Sequence, residues 1–151
     1  WHSTLAGLQR FPPLNAWKRI NEMPFTRITL NQGYSDAQIT QISDILQQSL
    51  VKEFAVPPHD RFQVFERLPA NLHVFDRHYK SGGRSDNFIQ FHITAGKPRA
   101  FEQKKNLCRT LCEQLHTALG IRPDDVMVII QFNTADEWSF SNGLMLSEEG
   151  L

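Results

Sequence analysis

The sequence predicts one α+β domain in which two tandem β-α-β units form a four-stranded mixed sheet with both helices on one face. Three observations carry this. A length of 151 residues suits a single core of ordinary size. Apolar spacing switches from period two to a helical period and back, twice. The second round then repeats the first at a shift of 65 residues.

Phe25-Thr26-Arg27-Ile28-Thr29-Leu30 alternates and is rich in β-branched residues, as a strand should be. Gln32-Gly33 turns the chain, and Ser35 or Asp36 can cap the helix that follows. Its apolar stripe is Ile42, Ile45, Leu46, Leu50 and Phe54, and Val56-Pro57-Pro58 stops it. Arg61–Glu66 alternates as a second strand. Leu68–Asn87 is a polar link holding Pro69 and Ser81-Gly82-Gly83, a turn or mobile flap. Phe88–Ile93 opens the second round as a strand. Its helix runs through Phe101, Leu107, Cys108, Leu111, Leu115 and Leu119, and Gly120 ends it where a left-handed cap is favoured. Val126–Ile130 is a continuous apolar run, typical of a strand covered on both faces.

The repeat keeps register across strand, helix, stop and second strand. Val56-Pro57-Pro58-His59-Asp60 falls opposite Ile121-Arg122-Pro123-Asp124-Asp125, and Ile42, Leu46 and Leu50 fall opposite Leu107, Leu111 and Leu115. Two such units place both helices on one side of the sheet. Nothing remains in a chain this short to cover the other side, so a symmetric oligomer is expected.

Composition narrows the function. Sixteen basic residues balance sixteen acidic ones, which removes the electrostatic footprint of a nucleic-acid binder. No apolar run approaches the ~20 residues that span a bilayer. Cys108 and Cys112 share a helix face and suit packing in a reducing, cytoplasmic compartment rather than a disulfide. The six histidines lack the spacing of a zinc site, and no phosphate loop or serine-hydrolase elbow is present, so neither metal nor cofactor is expected. Residues 1–23 read as an extension, with the domain at 24–151. Phe11-Pro12-Pro13 interrupts the pattern, no apolar stretch of secretory type occurs in Trp1–Glu22, and Met23 is a candidate natural start.

Two places can carry chemistry. Lys97-Pro98-Arg99 lies where the third strand hands over to its helix, and ligands of open sheets bind at strand ends. The two cations can meet one anion there, aided by the helix dipole. The alternative is a solvated basic turn. Pro24, if freed of Met23, would expose a secondary amine on a rigid ring that exchanges a proton near neutral pH when its surroundings depress its pKa.

Taken together, the Met-Pro start, the duplicated β-α-β unit, the repeated Pro-x-Asp and the basic pair resemble the tautomerase superfamily, whose fold is shared by 4-oxalocrotonate tautomerase and MIF. The malonate semialdehyde decarboxylase branch is the nearest in pattern. Asn31–Ile39, Val56–Gln63, Gly83-Arg84-Ser85, Lys97–Lys104, Pro123–Val126 and Ala135–Phe140 carry the likeness. It implies a homotrimer with sheets facing inward and a terminal proline, here Pro24, as the catalytic acid–base. It implies that Asp60 lies beside that proline, and that Lys97 and Arg99 stand where two arginines bind a substrate carboxylate. Lysine at the first of these keeps the charge but loses the fork. It further implies substrate contacts from Arg84, Trp138 and Phe140. The two aromatics would come from a neighbouring subunit, or else form a hydrophobic staple on their own chain.

The expected function is therefore keto–enol tautomerisation of a small carboxylic acid by a homotrimer, without cofactor. Decarboxylation or hydration in the manner of malonate semialdehyde decarboxylase is the alternative. A non-catalytic binding protein with Pro24 permanently blocked is the third.

Overall fold

The computed structural model describes residues 24–148. The expected 1–23 extension and the candidate start at Met23 lie outside the described residues. The alternating head of the domain forms β1 (Pro24–Asn31), and its burial alternates in step: Thr26, Ile28 and Leu30 are fully buried while Arg27 is exposed. Next comes α1 (Asp36–Phe54). The side chain of its cap, Ser35, accepts from the Gln38 amide at 3.1 Å, and Gln38 Oε1 accepts from the Ser35 amide at 2.9 Å. Such a box satisfies two orphan amides and contributes about 1 kcal/mol. The remaining elements are β2 (Gln63–Leu68), β3 (Ile89–Ala95), α2 (Phe101–Leu119) and β4 (Val126–Phe132).

Strand order is β2-β1-β3-β4. Each half contributes a parallel pair, β1 with β2 and β3 with β4. The halves join through the antiparallel pair β1–β3, in which Pro24 faces Ala95 and Leu30 faces Ile89. One core holds Ile42, Leu46 and Leu50 of α1, Leu107, Leu111 and Leu115 of α2, and Ile28, Phe91 and Ile93 of the sheet, so both helices lie on one face. At ~25 cal/mol per Å² this shared apolar layer is the dominant stabilising term. Cys108 and Cys112 are free and half-buried, and burial raises both thiols above their ordinary pKa.

The second face of the sheet is open in the protomer. It presents the Arg27–Glu66 ion pair at 2.8 Å and His92 against Gln131 at 2.6 Å. The apolar run of β4 therefore meets core on one side only, and Met127 on the other is 38% exposed. β2 starts at Gln63 rather than Arg61, because Arg61 is drawn away to Asp44 of α1 at 2.7 Å and Phe62 closes the turn through its carbonyl, which accepts from the Thr26 amide at 3.0 Å.

The duplication is kept in detail. α1 and α2 are both 19 residues long. The Val56 amide donates to the Leu50 carbonyl as the Ile121 amide does to Leu115. Both helices end in a left-handed residue, Ala55 at φ 55° and Gly120 at φ 67°. An L side chain in that region costs about 1–2 kcal/mol, more than glycine loses through its freer unfolded chain. Gly120→Ala should therefore lower the unfolding free energy by about 1 kcal/mol in urea melts, whereas Ala55→Gly should raise it or leave it unchanged.

Candidate active site

Pairing determines what meets at each end of the sheet. β1 runs parallel to β2 and antiparallel to β3, so the head of β1 lies beside the start of β2 and the end of β3. Pro24, the Asp60–Phe62 turn, the Lys97–Arg99 turn and the exit of β4 at Phe132 thus gather at one end. Pro24 is buried there as the first residue of a central strand.

Asp60 is held by its backbone. Its amide donates to the Pro57 carbonyl at 3.0 Å, and its carbonyl accepts from Gln47 Nε2 at 3.0 Å. Gln47 lies on α1, is 3% exposed, and also reaches the Pro57 and Pro58 carbonyls at 3.4 Å each. One buried amide thereby ties down the whole proline turn that carries Asp60. Sequence reasoning missed Gln47. It adjoins Leu46 on a helix that also buries Ser49, and nothing in the local sequence marks it out.

Arg99 is not a solvated cation. Only 9% of it is exposed. Its Nη1 donates to the Lys97 carbonyl at 2.6 Å and its Nη2 to the Phe54 carbonyl at 3.0 Å, with the guanidinium 5.0 Å from the Phe54 ring. It thus fastens the β3–α2 turn to the last turn of α1, whose end carbonyls carry the negative end of the helix dipole. Burial lowers its pKa and the nearby Asp60 charge opposes that. The guanidinium remains charged. Lys97 is exposed on the same turn, so the expected basic pair is one fixed, desolvated cation and one at the surface.

The chain leaving β4 reaches the far edge of the sheet. The Asn133 amide donates to the Ala95 carbonyl at 3.0 Å, and Trp138 Nε1 donates to Asn133 Oδ1. Trp138 stacks on Phe140 at 5.6 Å, and Phe140 meets Phe62 at 5.5 Å. Asn133 adjoins β3 while Phe62 precedes β2, so this segment crosses the sheet end that Pro24 occupies. Within the protomer both aromatics form a staple on their own chain.

Arg84 lies at the other end of the protomer, before β3, where its Nη1 donates to the Asp76 carbonyl at 2.8 Å. A seven-residue strand, ~20 Å long, separates the two ends. Ser81-Gly82-Gly83, expected as a turn or a mobile flap, is tied down next to β4: the Gly82 amide donates to Asp124 Oδ1 at 2.9 Å, and Ser81 Oγ donates to the Asp124 carbonyl at 3.2 Å.

That other end is the second half's counterpart of the first. Asp125 stands where Asp60 does, its amide donating to Arg122 at 2.8 Å as that of Asp60 does to Pro57. The equivalent of Arg99 is Tyr34, and the equivalent of Pro24 is Ile89. Tyr34 donates to the Asn87 carbonyl at 2.6 Å, and burial, then the Asp125 charge, pushes its pKa up to about 12. Only the first end couples a strand-initial proline with an aspartate and a buried arginine.

With this geometry described, comparison with known proteins is informative. A family described as "Tautomerase enzyme" matches residues 60–141. Probable tautomerase YusQ of Bacillus subtilis (strain 168) is 36% identical over 80% of this chain and 95% of its own. Probable tautomerase YrdN of the same organism is 30% identical over 80% and 93%. Among solved structures, a malonate semialdehyde decarboxylase superimposes with a TM-score of 0.75 at 31% identity, covering 80% of this chain and 92% of that one. Native fused 4-OT, at 20% identity and a TM-score of 0.65 over 84% and 99%, shares the fold.

The Tyr34 shift has a consequence at high pH. A phenol whose folded pKa lies above its unfolded value of 10 contributes stability that is intact below pH 10 and is lost as pH climbs towards 12. Urea melts at pH 8 and pH 11.5 should show the wild type losing roughly 1–2 kcal/mol more than Tyr34→Phe across that interval.

Proposed function

We propose, from the premise that the chain belongs to the tautomerase family, that it is an isomerase interconverting keto and enol forms of a small carboxylic acid, with Pro24 as the acid–base group. The observation that carries this reading is the convergence of a strand-initial proline, Asp60 and the buried Arg99 at one end of the sheet. The amine must be free. With Met23 attached, the Pro24 nitrogen is a tertiary amide with no proton and almost no basicity, so the active form begins at Pro24.

In that form the neutral ring nitrogen takes the proton alpha to the substrate carbonyl, leaving an enolate, and returns it to the enolate oxygen to give the enol; ketonisation runs the same transfers in reverse, from oxygen to the alpha carbon. Arg99 offers a fixed positive charge in a desolvated setting, where it offsets enolate and carboxylate charge more strongly than in water. Lys97 supplies a second, adaptable charge. The Trp138–Phe140–Phe62 cluster offers an apolar wall beside that end, with Phe62 and Phe140 still exposed in the protomer. Arg84 reaches a substrate only if a neighbouring copy brings it there. A homotrimer built on the open sheet face supplies that neighbour, in keeping with the fused 4-OT trimers that share the fold.

Decarboxylation or hydration is a second reading, favoured by the 31% identity to malonate semialdehyde decarboxylase. It requires a mostly protonated Pro24 that polarises a carbonyl while Asp60 positions water. The two readings differ in the protonation state of one amine.

Two experiments test the site. A chain beginning at Pro24 should ketonise phenylenolpyruvate, and Pro24→Ala should lower kcat/KM by about ten-fold or more, the scale of general acid–base catalysis. Unchanged turnover would remove Pro24 from the mechanism. Arg99→Ala should cost the acid substrate roughly 2–4 kcal/mol in kcat/KM and leave the matched ester nearly unaffected, because only the acid loses a charge partner. Equal losses on acid and ester would make Arg99 a structural clamp only.

A further inference from the structure

The second half of the duplication keeps its aspartate although Ile89 stands there in place of Pro24 and Tyr34 in place of Arg99. Asp125 is 1% exposed, and such a carboxylate is costly to bury unless its oxygens are hydrogen-bonded. Both are engaged by one residue: the Ser85 amide donates to Oδ1 at 2.6 Å and Ser85 Oγ donates to Oδ2 at 2.6 Å. The preceding Asp124 holds the Gly82 amide, and a Cβ on Gly82 would lie 3.1 Å from an Asp124 carboxylate oxygen, so backbone and carboxylate fit closely there. Two consecutive carboxylates on one short turn thus grip both sides of Gly83-Arg84.

Arg84 is set by this grip. Its amide donates to the Arg77 carbonyl and its Nη1 to the Asp76 carbonyl, both at 2.8 Å, with the guanidinium 5.6 Å from the Phe88 ring. The carboxylate contacts span about 40 residues of sequence, so they place Arg84 relative to the start of β4, not merely within its own loop. We propose that Asp125 is a positioning residue that, through Ser85, presents Arg84 at a constant place and angle to the substrate carboxylate in a neighbouring subunit's site. This rests on the trimeric tautomerase reading above. The catalytic aspartate position of one half has become the alignment device of the other.

The test uses the chain beginning at Pro24. Asp125→Asn should raise KM for phenylenolpyruvate by about ten-fold while kcat stays within about three-fold, since ground-state carboxylate binding is what suffers. Ser85→Ala, which removes one of the two contacts, should move KM the same way by less. In an Arg84→Ala background, Asp125→Asn should add under about two-fold, because residues acting through one another are not additive. Hydrogen exchange at the Ser85 amide should quicken at least ten-fold in Asp125→Asn, with helix amides unchanged and the trimer intact by light scattering. If Asp125→Asn costs as much in the Arg84→Ala background as in the wild type, the residue is merely structural and the proposal is overturned. A Ser85 amide exchanging at the wild-type rate overturns it too, while leaving the catalytic reading in place. If Asp125→Asn does not fold, Ser85→Ala decides by the same criteria. A wild-type chain that binds and turns over no enol acid overturns the catalytic reading, and this inference with it.

Discussion

Everything in the molecule depends on the antiparallel seam between β1 and β3. Arg27 faces His92 across it, and those two residues are themselves equivalent in the two halves, so the pseudo-twofold axis passes between them. The register is set by burial: Ile28 and Leu30 on one strand and Phe91 and Ile93 on the other all turn towards the same core. A slip of one residue would turn an entire strand's apolar set to the open face. The same register puts Pro24 beside Ala95, and hence beside the turn that carries Lys97 and Arg99.

Symmetry of backbone and asymmetry of chemistry coexist because the two ends differ at few positions. Helix length, capping glutamines and left-handed stops are held in common. Where one end has Arg99 bound to the Phe54 carbonyl, the other has Tyr34 bound to Asn87. The first end keeps a desolvated positive charge near its aspartate. The second saturates its aspartate with Ser85 and keeps its phenol neutral. Two frames of nearly the same geometry therefore differ in one charge: a buried guanidinium lies near the aspartate of the first, a neutral phenol near that of the second.

Much of this was legible in the residues. The helix limits follow from Ser35, the apolar stripes and Gly120, and the repeat follows from aligned Pro-x-Asp segments, because local propensity and pattern agree there. What could not be read depends on long-range contacts. The burial of Arg99 requires the end of α1 to arrive beside a turn 45 residues later. The fastening of Ser81–Ser85 requires Asp124 and Asp125 from beyond α2. A glycine-rich stretch alone reads as loose, whatever grips it. Gln47 reads as an ordinary surface glutamine until the proline turn folds over it.

The seam also carries a cost during synthesis. β1, α1 and β2 leave the ribosome as a complete parallel unit, while β3, the other partner of β1, begins 21 residues after β2 ends. At translation rates of ~5–20 residues per second that unit waits seconds with the inner edge of β1 unpaired and its Ile28 and Leu30 side chains poorly covered. Such an edge is a template for pairing with another nascent chain. The linker between the halves cannot shield it, since the aspartates that order Ser81–Ser85 are made later still. Polysomes carrying many half-finished copies are thus where this fold is most exposed to aggregation.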